Sequence, residues 1–207
     1  MDKFSIKRLK EFVALAKSNS FAGAKTKSNM DNGGSMYSYK EYSEKGELIY
    51  SDIYFGNLVE GGTECVTLDG HEIWKCQYYG GISIDTTIPK SIINNTVQKL
   101  LDQPLPIISD TIEVFLRQAL LSPPISFPVR GPQEYTTNNV VFNNQHYAGN
   151  WVYKNNWTAL PLFGVKDPFY AFYGKEIITF CSVELFWHCY QGGLVYDKNS
   201  PLVIEIN

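Results

Sequence analysis

The chain holds little of what reactive chemistry usually requires. Its 207 residues include only three histidines, four cysteines and three methionines. No His-x-His or Cys-x-x-Cys spacing occurs, which removes the common sequence frames for a bound metal. His188 and Cys189 are adjacent and Cys181 is near, but neighbours on a strand point to opposite faces, so the pair is a poor chelate. His71 and His146 lie far off in sequence. Neither a Gly-x-Ser-x-Gly elbow nor a phosphate-cradling glycine loop is present. The pairs Gly61-Gly62, Gly80-Gly81 and Gly192-Gly193 read as strand ends and turns. No catalytic residue, metal or cofactor is expected from these patterns.

An excess of charge is missing as well. Lys and Arg total 18 against 21 Asp and Glu, giving a net charge of −3, so no electrostatic footprint for nucleic acid is visible. Lys3, Lys7, Arg8 and Lys10 alternate with other side chains on one helical segment and read as a solvated face. No apolar run approaches 18 residues, which argues against a membrane helix. Residues 1–20 lack the apolar core of a secretory signal. Buried, reduced thiols in a cytoplasmic protein are therefore expected for Cys65, Cys76, Cys181 and Cys189, with Cys76 and Cys189 in particular buried beside aromatics.

What the chain does have is aromatic residues and a repeat. Tyrosine alone contributes 14 residues, and its apolar body with a polar tip suits half-buried sheet faces and clefts. Residues 62–85 shifted by 112 lie on 174–197 without a gap. The identities are Gly62/Gly174, Glu64/Glu176, Thr67/Thr179, Glu72/Glu184, Tyr78/Tyr190, Gly80/Gly192, Gly81/Gly193 and Asp85/Asp197. A second block at an offset of 103 pairs Gly46/Gly149, Ile49/Val152, Tyr50/Tyr153 and Tyr54/Trp157. The same offset lays Leu9, Phe12, Val13 and Ala16 onto Ile112, Phe115, Leu116 and Ala119.

These apolar positions recur at helical spacing, predicting helices over 5–18, with Ser5 as N-cap, and over 110–121 after Ser109. Strands are expected over 36–42, 46–55, 64–68, 71–79, 134–142, 150–156, 159–162, 169–179 and 183–191, with a tail strand near 202–206. Asp69-Gly70 is a strong hairpin signal, because a type I′ turn needs positive φ at both central residues. Residues 89–103 read as an extra helix begun by Pro89 and stopped by Pro104. The expected fold class is α+β: one domain over 1–207 built from a duplicated helix-plus-antiparallel-strands unit with pseudo-two-fold symmetry, each helix covering its own sheet or a sheet shared between the halves. Repeat 1 covers 5–85, a linker helix 86–108, repeat 2 109–198 and a C-terminal strand 201–207.

Two places invite a functional reading. Arg130 lies in Phe127-Pro128-Val129-Arg130-Gly131-Pro132, where flanking prolines hold a guanidinium in one place. Rigid placement suits a grip on a carboxylate or phosphate, and equally a structural pair with Glu134. His188 replaces Cys76 in the repeat and shares a strand face with Phe186 and Tyr190, as Trp74, Cys76 and Tyr78 share theirs. That face is either ordinary core or the wall of a pocket. Arg130, His188, Tyr54, Trp74, Tyr78 and Tyr190 are thus the candidate ligand-binding set, placed in a crevice between the repeats. The expected function is non-catalytic binding of a small molecule or a protein partner. The rivals are an enzyme using Arg130 as electrostatic stabiliser with His188 or Glu176 as acid/base, and a purely structural or interaction protein, for which a homodimer is compatible.

The chain resembles an uncharacterised bacterial domain family, a domain of unknown function found alone or fused behind a Cro/CI-type helix-turn-helix. The resemblance is carried by Phe21-Ala22-Gly23-Ala24, the run from Tyr50 to Gly56, Trp74 to Gly80, Phe115 to Leu120, Phe127 to Pro132 and Trp187 to Gly193. It implies a sensor or partner module, assigns no activity, and implies no nucleic-acid binding by this chain itself.

Overall fold

The computed structural model describes residues 3–23, 27–43, 46–84, 93–121, 129–161, 167, 169–195 and 203–205. Strand β1 (Lys3–Ser5) leads into α1 (Ile6–Ser18), where the Ser5 hydroxyl accepts the Arg8 amide at 3.2 Å. Leu9, Phe12, Val13 and Ala16 form the buried stripe of α1, as their spacing requires. After the short β2 (Ser28–Asn29) come β3 (Ser35–Ser43), β4 (Gly46–Gly56), β5 (Val59–Leu68) and β6 (His71–Ile82). Helix α2 (Asn95–Leu101) is capped by Asn94, whose side chain accepts the Val97 amide. It is shorter than the expected 89–103 helix, and residues 89–92 lie outside the described residues. Helix α3 (Leu105–Leu120) starts well before Ser109, because Pro104 both closes the preceding turn and opens the next helix. Strands β7 (Glu134–Phe142), β8 (Gln145–Ala159), β9 (Ala171–Phe180), β10 (Val183–Leu194) and β11 (Val203–Glu205) follow. The two separate strands expected over 150–162 are one long β8.

The α+β expectation is corrected by the sheet. Nine strands form a single antiparallel sheet in the order β2-β3-β4-β5-β6-β10-β9-β8-β7, and strand far outweighs helix among the described residues. Each half is covered by its own helix, but the strands do not divide into two sheets. They fuse edge to edge, with β6 paired to β10 in a register that puts Tyr78 opposite Tyr190 and Gly80 opposite His188. The segments matched by the 112 offset are the β5–β6 and β9–β10 hairpins on either side of this seam, and Asp85 and Asp197 lie outside the described residues. Their turns are Asp69-Gly70 (φ 49° and 81°) and Cys181-Ser182 (φ 47° and 71°), both with the doubly positive φ of a type I′ connection. Strands β1 and β11 pair in parallel as a separate two-stranded ribbon.

Two apolar cores lie on the helix-covered face. The first packs Leu9, Phe12 and Val13 of α1 on Leu48, Val66 and Trp74, and it borrows Phe172 and Tyr190 from beyond the seam. The second packs Phe115, Leu116 and Ala119 of α3 on Trp151, Ile178 and Phe180, and it includes Ala22 from the N-terminal side. The thiols divide on strand parity. Cys76 faces the core and is buried, whereas Cys189 faces outward and is exposed, correcting the expectation that both are buried.

Candidate functional site

Where the two cores meet across the β6–β10 seam, the sheet buries charge. Arg130 enters from the segment before β7 and is 5% exposed, with its guanidinium carbon 4.9 Å from the Tyr78 ring centre and 5.1 Å from that of Tyr190. Two tyrosine faces thus clamp one cation. The rings have room because each lies opposite a glycine on the neighbouring strand. A Cβ at Gly62 would come within 2.4 Å of the Tyr78 hydroxyl, and one at Gly174 within 2.4 Å of the Tyr190 ring. Arg130 Nη1 meets Glu64 Oε1 at 3.2 Å, and Nε lies 3.9 Å from Glu176 Oε1. Burial works against the arginine's charge, but Glu64 and Glu176 outweigh it and keep the group firmly cationic. Glu134, the partner suggested by sequence, lies near Lys154 instead.

The two sides of the guanidinium are built from corresponding positions but finished differently. On the β9–β10 side hydrogen bonds hold Glu176, Tyr190 and Asn155. Glu176 Oε2 accepts from Tyr153 at 2.7 Å, and its Oε1 lies 3.0 Å from His188 Nδ1. The Tyr190 hydroxyl donates to Asn155, whose amide nitrogen donates to the Gly131 carbonyl at 3.0 Å. On the β5–β6 side the position matching Asn155 at the 103 offset is Asp52, which accepts from the Tyr78 hydroxyl at 2.8 Å. Glu64 is held there by Lys17 Nζ at 2.6 Å.

Three ionisable groups are displaced by this setting. Burial, and then the charge of Glu64, push the Asp52 carboxyl up to about 7. Burial would also raise Glu176, but Arg130 and the His188 hydrogen bond prevail and hold it at about 2. His188 has a carboxylate oxygen 3.0 Å from each ring nitrogen, Glu176 Oε1 at Nδ1 and Glu60 Oε1 at Nε2, and only the Nδ1 contact has hydrogen-bond geometry. Burial disfavours its charge, yet the two carboxylates raise its pKa overall.

The less crowded β5–β6 side is hollow. A cavity of about 40 Å³ is bounded by Lys17, Tyr50, Asp52, Glu64, Arg130 and His188. Phe21, Tyr54, Glu60 and Leu116 line both this chamber and an outer cleft of about 440 Å³, which continues between α3 and the β4–β5 turn past Ile82 and Phe186. Lys27, Asp110 and Glu113 are among the cleft's polar residues. Arg130 is one of the chamber's lining residues, and its Nε and Nη2 are buried without a hydrogen-bond acceptor among the described residues, Nε having the Glu176 carboxylate at 3.9 Å.

Of the candidates named from sequence, Arg130, His188, Tyr54 and Tyr78 line the chamber. Tyr190 stands on the far side of the guanidinium and only shapes the site. Trp74 does not reach it: the indole is fully buried in the first core, stacked on Phe169 at 5.4 Å. Sequence reasoning passed over Lys17, Asp52, Glu60 and Glu64 as site residues. A signal existed for Glu64, since an acid at an inward strand position in both segments matched by the 112 offset requires a buried partner. No group of three or more metal-ligating side chains assembles among the described residues, and no helix there is long and apolar enough to cross a membrane.

No curated protein and no solved structure matches the chain significantly. A family model does match over residues 52–195, a span that contains Asp52, Glu64, Arg130, Glu176 and His188 together, and the chain therefore belongs to the domain-of-unknown-function family DUF5680.

Proposed function

We propose that the protein binds a small molecule at this site without transforming it. The carrying observation is that Arg130, a lining residue of a cavity, keeps two buried donors without a hydrogen-bond acceptor among the described residues. Buried polar groups in folded proteins are nearly always hydrogen-bonded, and a guanidinium so firmly ionised leaves its spare N–H groups for an incoming acceptor. The outer cleft has the size of a small-molecule pocket, and its walls combine aromatic and aliphatic side chains with a few polar groups. In this reading a repeated strand hairpin supplies each half of the clamp, through Gly62/Gly174, Glu64/Glu176 and Tyr78/Tyr190. Divergence at Asp52/Asn155 and Cys76/His188 leaves one half hollow. Catalysis is disfavoured because His188 and Glu176 are consumed by each other and by Arg130. A cytoplasmic setting accords with four free thiols, among them Cys76, which burial pushes up to about 12.

The test is a thermal-shift screen of a metabolite collection on wild type and on Tyr54→Ala, which opens the passage without removing a buried charge. A ligand present at about a hundredfold over its Kd should stabilise wild type by about 2.7 kcal/mol. The variant should lose most of that gain. If nothing in the collection separates the two proteins, the binding reading fails.

A further inference from the structure

We infer that the inner chamber recognises a neutral amide head group, as found in a primary carboxamide, urea or lactam, and rejects the isosteric carboxylate. The inference deepens the ligand-binding reading and rests on it.

The first requirement is an acceptor. Arg130 lines the chamber, and its buried Nη2 has no hydrogen-bond or ion-pair partner among the described residues, so an incoming oxygen is the group suited to it. The second comes from the charges that enclose the chamber. Lys17 arrives from α1, Arg130 from the segment before β7 and His188 from β10. Glu60 and Glu64 arrive from β5 and Glu176 from β9. These six form ion pairs among themselves: Lys17 and Arg130 with Glu64, and His188 with Glu60 and Glu176. With His188 protonated, as its two carboxylate neighbours favour, they amount to three cations and three carboxylates. Asp52 of β4 is the fourth carboxyl, and no ion pair reaches it among the described residues. A carboxylate ligand would therefore add a buried negative charge that no cation is left to balance. An amide adds none. Its carbonyl accepts from Arg130, and its N–H is suited to the Asp52 carboxyl, which remains an acceptor whether or not it carries a proton.

Size agrees with this. One water needs roughly 10–15 Å³ of such space, so a chamber of about 40 Å³ takes a flat head group of three heavy atoms and little more. The body of the ligand would then lie in the outer cleft against Phe21, Tyr54, Leu116 and Phe186. A ring fits that description.

Benzamide and benzoate share shape and ring and differ in charge, which makes them the probes. Their affinities should be measured by ligand-observed NMR titration against wild type and Asp52→Asn, from about pH 5 to about pH 8. Benzamide should bind at least about tenfold more tightly than benzoate at the upper pH. That preference should narrow toward the lower pH, as Asp52 takes up its proton, and also narrow in Asp52→Asn at high pH. Should the variant fail to fold, the pH series on wild type decides alone. Benzoate binding as tightly as benzamide, or a preference that ignores pH, would overturn the inference. So would the failure of both probes to bind. In that last case, a screening hit lost in Tyr54→Ala would still leave the general binding reading standing.

Discussion

At the level of single residues, Asp52 and Glu176 show how the same burial produces opposite outcomes. Both carboxyls are removed from water at the centre of the sheet. Glu176 has the arginine, the histidine and a tyrosine hydroxyl to hold its charge, and so remains ionised down to about pH 2. Asp52 has one tyrosine hydroxyl and a neighbouring acid, and binds its proton up to about pH 7. The consequences for stability have opposite signs. The folded state holds the Asp52 proton more tightly than the unfolded chain does, so this group makes the protein less stable as pH rises from about 4 to about 7. Glu176 contributes stability that is present above its ordinary range and lost as pH falls toward 2. Asp52→Asn keeps an acceptor for Tyr78, just as Asn155 provides one for Tyr190, and removes the titration. The variant should gain on the order of 1–3 kcal/mol over wild type near pH 8 and show no advantage below about pH 4. Urea unfolding midpoints across that range decide it, and parallel pH profiles for the two proteins would show the assignment to be wrong.

At the level of elements, the two hairpins flanking the seam have turns of one type made from different residues. Gly70 occupies the second turn position in β5–β6 with φ 81°, and Ser182 occupies it in β9–β10 with φ 71°. A left-handed backbone costs a side chain that glycine avoids. Ser182→Gly should therefore stabilise the protein by about 0.5–1 kcal/mol, and Gly70→Ser should cost a similar amount. Equal thermal midpoints for all three proteins would contradict the turn assignment. Local elements of this kind were the legible part of the sequence, because turn chemistry and helical spacing act over a few residues. Ser5, Asp69-Gly70 and the α1 stripe fall where the pattern puts them. Parity also placed His188 and Tyr190 on one face, and applied consistently it would have turned Cys189 outward. The start of α3 was missed because proline ends one helix and opens another equally well. The site was legible only in part. Arg130, His188, Tyr54 and Tyr78 stood out by type and setting, while Lys17, Asp52 and Glu64 are brought to them by pairings that no local pattern encodes.

At the level of the whole molecule, the decisive contact is the pairing of β6 with β10. Strand periodicity is the same whether two meanders form separate sheets or one continuous sheet, so the pattern leaves both open, and the pairing of β6 with β10 decides for one sheet in which strand outweighs helix. Once the strands join, neither half is complete. The first core needs Phe172 and Tyr190, the second takes Ala22, and Glu64 and Glu176 share one arginine. A polypeptide of residues 1–84 would expose β6 as a long unpaired edge and bury Glu64 without Arg130. One of residues 93–195 would expose β10 and leave Arg130 beside Glu176 without its second tyrosine and second acid. An open edge invites intermolecular pairing, and each piece keeps only part of the buried charge network, with Lys17 alone facing Glu64 in one and Glu176 alone facing Arg130 in the other. Each piece alone should therefore lack a cooperative unfolding transition by circular dichroism, while the two co-expressed should purify together and unfold as one. A sharp, denaturant-sensitive transition in either isolated piece would mean that the seam joins two self-sufficient domains, and the charged clamp at its centre would then be an interface between folded units rather than a part of one core.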